Sequence, residues 1–127
     1  MTKEEVLKVG YFNLARLESL KVDFRARIGS VLSRQHTPIS IGRNHPNKTH
    51  PLIQKYSKYK TIHAEMDSII GLDRHLASGS TMYVYRENKN GELANSSPCA
   101  MCLSFMKEMG IKKVYHTYEN GYKEIKL

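Results

Sequence analysis

Apolar positions recur at two different periods along this chain, and the switches between them outline its elements. Leu7, Tyr11, Leu14 and Leu17 follow helical spacing behind a Thr2-x-x-Glu5 capping box, which predicts a helix from about Lys3 to Leu20. Residues 25–33 then read as a strand with Ile28 and Leu32 on one face. Residues 38–43, Pro-Ile-Ser-Ile-Gly-Arg, read as its antiparallel partner across a short turn. A second helix opens near Ile62 and ends at Gly71, burying Met66, Ile69 and Ile70. Thr81-Met82-Tyr83-Val84-Tyr85 is a strand, and residues 86–97 form a polar loop with a turn signal at Asn90-Gly91. A third helix runs from Cys99 to Met109 and stops at Gly110, with Met101, Phe105, Met106 and Met109 read as core packing. Lys113 to Tyr118 is a fourth strand.

The tail adds a topological constraint. Only Glu119-Asn120-Gly121 separates Tyr118 from the segment Tyr122 to Leu127, and Asn-Gly favours a type I′ hairpin turn. A parallel return needs a crossover of about a dozen residues or more. A final strand must therefore run antiparallel to the fourth.

Composition narrows the class. The 127 residues fit one domain, 1–127, with ordinary apolar and charged content of 40% and 25%. No apolar run approaches the roughly 20 residues needed to span a bilayer, so no membrane partner is expected. The start Met1-Thr2-Lys3-Glu4-Glu5 lacks a signal-peptide layout, and two cysteines make no disulfide framework. A reducing, cytoplasmic setting is expected. The net charge of +8 is concentrated: from Phe24 to Ala64 there is no Asp or Glu, against Arg25, Arg27, Arg34, Arg43, Lys48, Lys55, Lys58 and Lys60. Such a block suits phosphate-bearing ligands, or is simply a solvated basic surface.

Two motifs carry chemistry: His63-Ala64-Glu65, and Pro98-Cys99-Ala100-Met101-Cys102. One imidazole and two thiolates form a three-ligand set that leaves the fourth tetrahedral position of Zn²⁺ to water, the pattern of a catalytic rather than a structural site. Apart, each half is ambiguous. His-x-Glu commonly begins a surface helix. Pro-Cys-x-x-Cys also suits a redox dithiol, half a zinc knuckle or a reactive pair. A knuckle lacks a second Cys-x-x-Cys here, and a redox dithiol leaves His-x-Glu unexplained. Both motifs open predicted helices, where residues three apart share a face and partial positive charge favours thiolate.

His-x-Glu followed by Pro-Cys-x-x-Cys resembles the signature of zinc-dependent nucleobase deaminases, the cytidine deaminase-like superfamily. The order α-β-β-α-β-α-β is similar to that superfamily over nearly the whole chain. The resemblance implies a three-layer α/β fold, a mixed five-stranded sheet with helices on both faces. The antiparallel last strand looks like the branch holding free cytidine deaminases and several toxin-type deaminases. The resemblance further implies one Zn²⁺ per chain on His63, Cys99 and Cys102, and hydrolytic loss of ammonia from C4 of a cytosine ring. Glu65 would move a proton to N3 and then to the leaving amine. Ala64 would offer its N–H to the base carbonyl, and Ser97, before Pro98 in the pocket wall, its carbonyl to the amino group. Asn44 matches the family's Gly-x-Asn and would contact sugar and base.

Tyr56 and Tyr59, interleaved with Lys55, Lys58 and Lys60, suit base stacking or a phosphate cradle, and equally an ordinary basic helix face. The implied partner is a small cytosine nucleoside or nucleotide, of the cytidine/deoxycytidine or CMP/dCMP type, with the basic block favouring a phosphorylated form. A homo-oligomer is expected. One alternative is a polynucleotide cytosine deaminase acting on single-stranded DNA or RNA; another is a non-catalytic zinc-containing nucleotide-binding module. Adenine and guanine rings stay open, because the motif speaks to the reaction and not the ring. The chain departs from typical free cytidine deaminases in having His63 where they carry cysteine, and from feedback-regulated deoxycytidylate deaminases in reading Gly42-Arg43-Asn44-His45 at their Gly-x-Asn-Gly turn.

Overall fold

In a computed structural model, which describes residues 1–54 and 61–127, the two periodicities resolve into a layered α/β domain. In chain order the elements are α1 (Lys3–Leu7), α2 (Phe12–Ser19), β1 (Ile28–Arg34), β2 (Thr37–Arg43), α3 (Pro51–Gln54), α4 (Ala64–Ile69), α5 (Arg74–Ala77), β3 (Thr81–Arg86), α6 (Ala100–Glu108), β4 (Lys113–Tyr118) and β5 (Gly121–Lys126). The strands form one sheet in the order β2-β1-β3-β4-β5. β3 and β4 are parallel, and every other neighbouring pair is antiparallel. Alternating side chains feed two cores. Val6, Phe12, Ala15, Val31, Tyr85 and Leu93 pack beneath α1 and α2. On the other face Leu32, Met66, Ile69, Met82, Val84, Met106 and Val114 lie under α4 and α6. Met101 and Phe105 belong to this second core, as the sequence suggests, and Met109 packs on it.

The expected hairpin between the last two strands is present, with Tyr118 facing Gly121 and Lys113 facing Lys126. Its turn differs from the Asn-Gly expectation. Among the described residues the non-glycine positions with positive φ are Gln35 (51°) and His36 (63°), so Glu119 and Asn120 do not adopt the type I′ conformation, and Gly121 enters β5 at φ 144°. The two positive φ values fall instead in the β1–β2 turn, where the sequence has no glycine. There the Tyr11 hydroxyl donates to the His36 carbonyl and holds the turn.

The single first helix is corrected to two. The Thr2 capping box forms as read, with Glu5 N–H on the Thr2 hydroxyl at 3.2 Å and Thr2 N–H on Glu5 Oε1 at 3.0 Å. The helix ends at Leu7 because Gly10 turns the backbone to φ 46° against the Tyr83 ring. A new helix then starts at Phe12 and buries Phe12, Ala15, Glu18 and Ser19, while Leu17 stays 49% exposed. The apolar spacing was therefore not one continuous stripe. The first strand begins at Ile28 rather than residue 25, and the short helices α3 and α5 have no counterpart in the sequence expectation. No helix among the described residues is long and apolar enough to cross a membrane.

Candidate metal centre and active site

His63 and Cys99 each occupy the N-cap position of a helix, α4 and α6, in extended backbone conformation, and Cys102 follows one turn into α6. Both helices lie on the same face of the sheet, which brings together side chains 36 and 39 residues apart. His63 Nδ1 stands 3.6 Å from Cys99 Sγ and 3.4 Å from Cys102 Sγ. All three potential ligand atoms lie within 4.8 Å of one another, the one such trio of His, Cys or carboxylate atoms among the described residues. A tetrahedral Zn²⁺ with Zn–S of about 2.3 Å and Zn–N of about 2.0–2.1 Å places sulfur and nitrogen about 3.6 Å apart. The donor set and its spacing fit that ion.

The protonation of the thiols points the same way. Hydrogen bonds from Cys102 and His63 hold the half-buried Cys99 thiol down to about 3. Cys102, bonded to Cys99 and buried, is pushed far up. The two sulfurs thus disfavour carrying charge together, and a cation between them relieves that repulsion.

Glu65 is 4% exposed and lies outside the His63, Cys99 and Cys102 cluster. Burial raises its pKa above the ordinary carboxylate value, against the lowering pull of backbone hydrogen bonding, His63 and Cys102. A carboxyl group of this kind, beside a metal position but free of the ligand set, is suited to proton transfer.

The packing that sets α4 in place was not visible in the sequence. Ala64 is buried, and its carbonyl accepts a 2.7 Å bond from the Ser30 hydroxyl on β1. Gly42 on β2 lies directly under the helix, where a Cβ would collide with the Ala64 carbonyl and the Ser68 N–H. Asp67 Oδ2 accepts from Arg43 N–H at 3.0 Å and faces His45 Nε2 at 3.1 Å, tying the helix to the end of β2. Gly42→Ala is therefore expected to cost about 1–3 kcal/mol by overpacking and to shift the turn that carries His63 and Glu65. Urea denaturation and zinc content check this; no change in either argues that α4 is seated by other contacts.

The other sequence candidates fall as follows. Asn44 follows β2, and its amide clamps the start of β1 and the loop leading into it: Oδ1 accepts from Ile28 N–H at 2.9 Å and Nδ2 donates to the Ala26 carbonyl at 2.7 Å. Pro98 is buried immediately before the N-cap Cys99. Ser97 is exposed, its N–H donating to Asn95 Oδ1 at 3.0 Å. Tyr56 and Tyr59, with Lys55, Lys58 and Lys60, lie outside the described residues.

A mixed sheet with two ligand-bearing helix starts on one face is the arrangement of the cytidine deaminase-like superfamily. Within it, the family model for the cytidine and deoxycytidylate deaminase zinc-binding region matches residues 9–118, and the chain belongs to that family. Among solved structures, dCMP deaminase from cyanophage S-TIM5 in apo form is similar at 22% identity and TM-score 0.60, over 91% of this chain and 84% of that one. The same phage enzyme in complex with dCMP and dUMP gives 22% identity and TM-score 0.59, over 91% and 82%. Cytidine deaminase from Burkholderia pseudomallei is 18% identical with TM-score 0.64, over 99% and 93%. At these identities the likeness is one of fold. No curated protein sequence matches the chain.

Proposed function

We propose that this protein is a zinc-dependent hydrolytic deaminase of a cytosine nucleoside or nucleotide, binding one zinc per chain. One observation carries the reading: His63, Cys99 and Cys102 gather at zinc-site distances while the buried Glu65 stays out of the ligand set. When bound, zinc acts as a Lewis acid that brings the pKa of a water down to about 7. Glu65 would take a proton from the water as its oxygen bonds to C4 and pass that proton to ring N3. It would then take the proton of the new C4 hydroxyl and give it to the amine, which leaves as ammonia when the C4–N bond breaks. Ala64 is the first residue of α4, so its N–H has no acceptor within the helix and would serve as a donor for the base carbonyl. The Ser97 carbonyl, one residue before buried Pro98, holds the amino group. Asn44 uses one amide hydrogen on Ala26 and keeps a second for a sugar hydroxyl.

A buried glutamate has no role in a purely structural zinc module, which favours the enzyme over the non-catalytic reading. The test is metal analysis of purified protein together with an ammonia-release screen. The screen covers cytidine, deoxycytidine, their mono- and triphosphates, guanine, and single-stranded DNA and RNA. About one zinc per chain and turnover of a cytosine monomer are expected. Activity unaffected by a strong chelator, in protein free of zinc, would sink the reading. Turnover of polynucleotide alone would replace the substrate while keeping the chemistry.

A further inference from the structure

A groove of about 660 Å³ opens beside the end of β3, and none of His63, Glu65, Cys99 or Cys102 lines it. Its wall brings Arg25 and Arg27, from the loop before β1, against Arg86 and Lys89, about sixty residues later in the chain. Among the described residues none of these four cations is paired with a carboxylate. The two acids of the wall do not cancel them. Glu87 is taken by Lys3 at 2.9 Å, Arg16 at 3.3 Å and the Tyr85 hydroxyl at 2.8 Å, which leaves Asp23 against four positive groups. Arg86 Nη1 donates to the Asn95 carbonyl at 3.3 Å, and its buried Nε has no hydrogen-bond partner. Beside these cations Phe24 and Leu20, 48% and 41% exposed, present an apolar surface.

Unpaired guanidinium groups recognise phosphate oxygens through charge-assisted, often bidentate, hydrogen bonds. An adjoining apolar wall suits an organic body, and the volume falls in the range of about 300–1,000 Å³ usual for small-molecule sites. We propose that this groove binds an organic phosphate, the phosphate held by Arg25, Arg27 and Arg86 and the organic part resting on Phe24 and Leu20. Its walls are tied to the loops beside the metal centre. Asn44 clamps the Ala26–Ile28 segment, and Arg86 holds Asn95, whose side chain accepts from Ser97 N–H.

Binding is independent of turnover, so the test does not share the fate of the deaminase reading. The protein as purified is titrated calorimetrically with pyrophosphate, with thymidine monophosphate and with thymidine, none of which carries an amine to lose from C4. Both phosphate compounds are expected to bind and thymidine to bind far more weakly, with affinity falling as salt screens the cations. Arg25→Ala with Arg27→Ala should weaken both phosphate compounds about tenfold or more. Arg86→Lys, which keeps the charge and loses the fork, should weaken them too, while Phe24→Ala should affect only the nucleotide. Failure of both phosphate compounds to bind overturns the proposal, as does wild-type affinity in the double variant and in Arg86→Lys. If the double variant raises KM for a phosphorylated substrate and not for its nucleoside, the phosphate is the substrate's own. If it abolishes thymidine monophosphate binding and leaves both KM values alone, the ligand is a separate molecule. Either result supports the site.

Discussion

Glu65→Ala is expected to lower kcat by about 10²–10⁴-fold, equivalent to about 2.7–5.5 kcal/mol of barrier, while the protein keeps its zinc and its fold. The loss is in proton transfer and not in assembly, because Glu65 lies outside the ligand trio. Single-turnover kinetics with metal analysis on the same sample checks this; a variant near the wild-type rate moves the proton-transfer role to another residue. The stability of metal-free protein gives a second readout. Burial raises the Glu65 pKa above its ordinary 4.5, so the folded state favours the protonated acid. That preference is fully present below the unfolded pKa and is lost as pH rises through the folded one. Glu65→Gln removes the dependence. Relative to wild type, the metal-free variant should gain stability at neutral pH, and the gain should vanish in acid.

Cys102→Ala should abolish the response to zinc. In the wild type, zinc at 1,000 times its Kd adds about 4 kcal/mol of stability by mass action, and a chain that has lost one of three ligands should gain little of it. Cys102 is fully buried in the core under α4 and α6, whereas Cys99 is half-buried. Cys102→Ala should therefore also lower the apo stability, and Cys99→Ala should do so much less. Melting curves with and without zinc separate the two effects. A Cys102→Ala protein that still binds zinc tightly would falsify the three-ligand centre. Uptake by the wild type must displace the proton of the Cys102 thiol, so apparent zinc affinity should rise with pH.

Much of the scaffold was legible because its signals are local. The Thr2 capping box, the strands at Thr81 and Lys113, and the short connection that makes β5 antiparallel all follow from neighbouring residues. The expectation of one long first helix failed because Gly10 is tolerable by propensity alone, and only the packing of Tyr83 from β3 makes it a break. The Asn120-Gly121 signal was likewise right about the hairpin and wrong about its turn, since strand register outweighs local turn preference. At the candidate site, the gathering of His63, Cys99 and Cys102 was legible from their spacing. The contacts that seat α4, from Ser30, Gly42 and Asp67, were not, because each depends on which strand lies under the helix. The meeting of Arg25 and Arg27 with Arg86 was invisible for the same reason: β1 and β3 are neighbours only in the folded sheet.

The closeness of the two sulfurs has a consequence for the life of the empty chain. Cys99 and Cys102 are free cysteines whose sulfurs lie within 4.8 Å of each other, so a sulfenic acid formed at half-buried Cys99 has Cys102 beside it to close an internal disulfide. Such a bridge consumes both sulfur ligands at once. Bound metal commits both thiolates and shields them from that route. A metal-free chain exposed to oxidant is therefore expected to lose zinc uptake, and a reductant, not added zinc, to restore it.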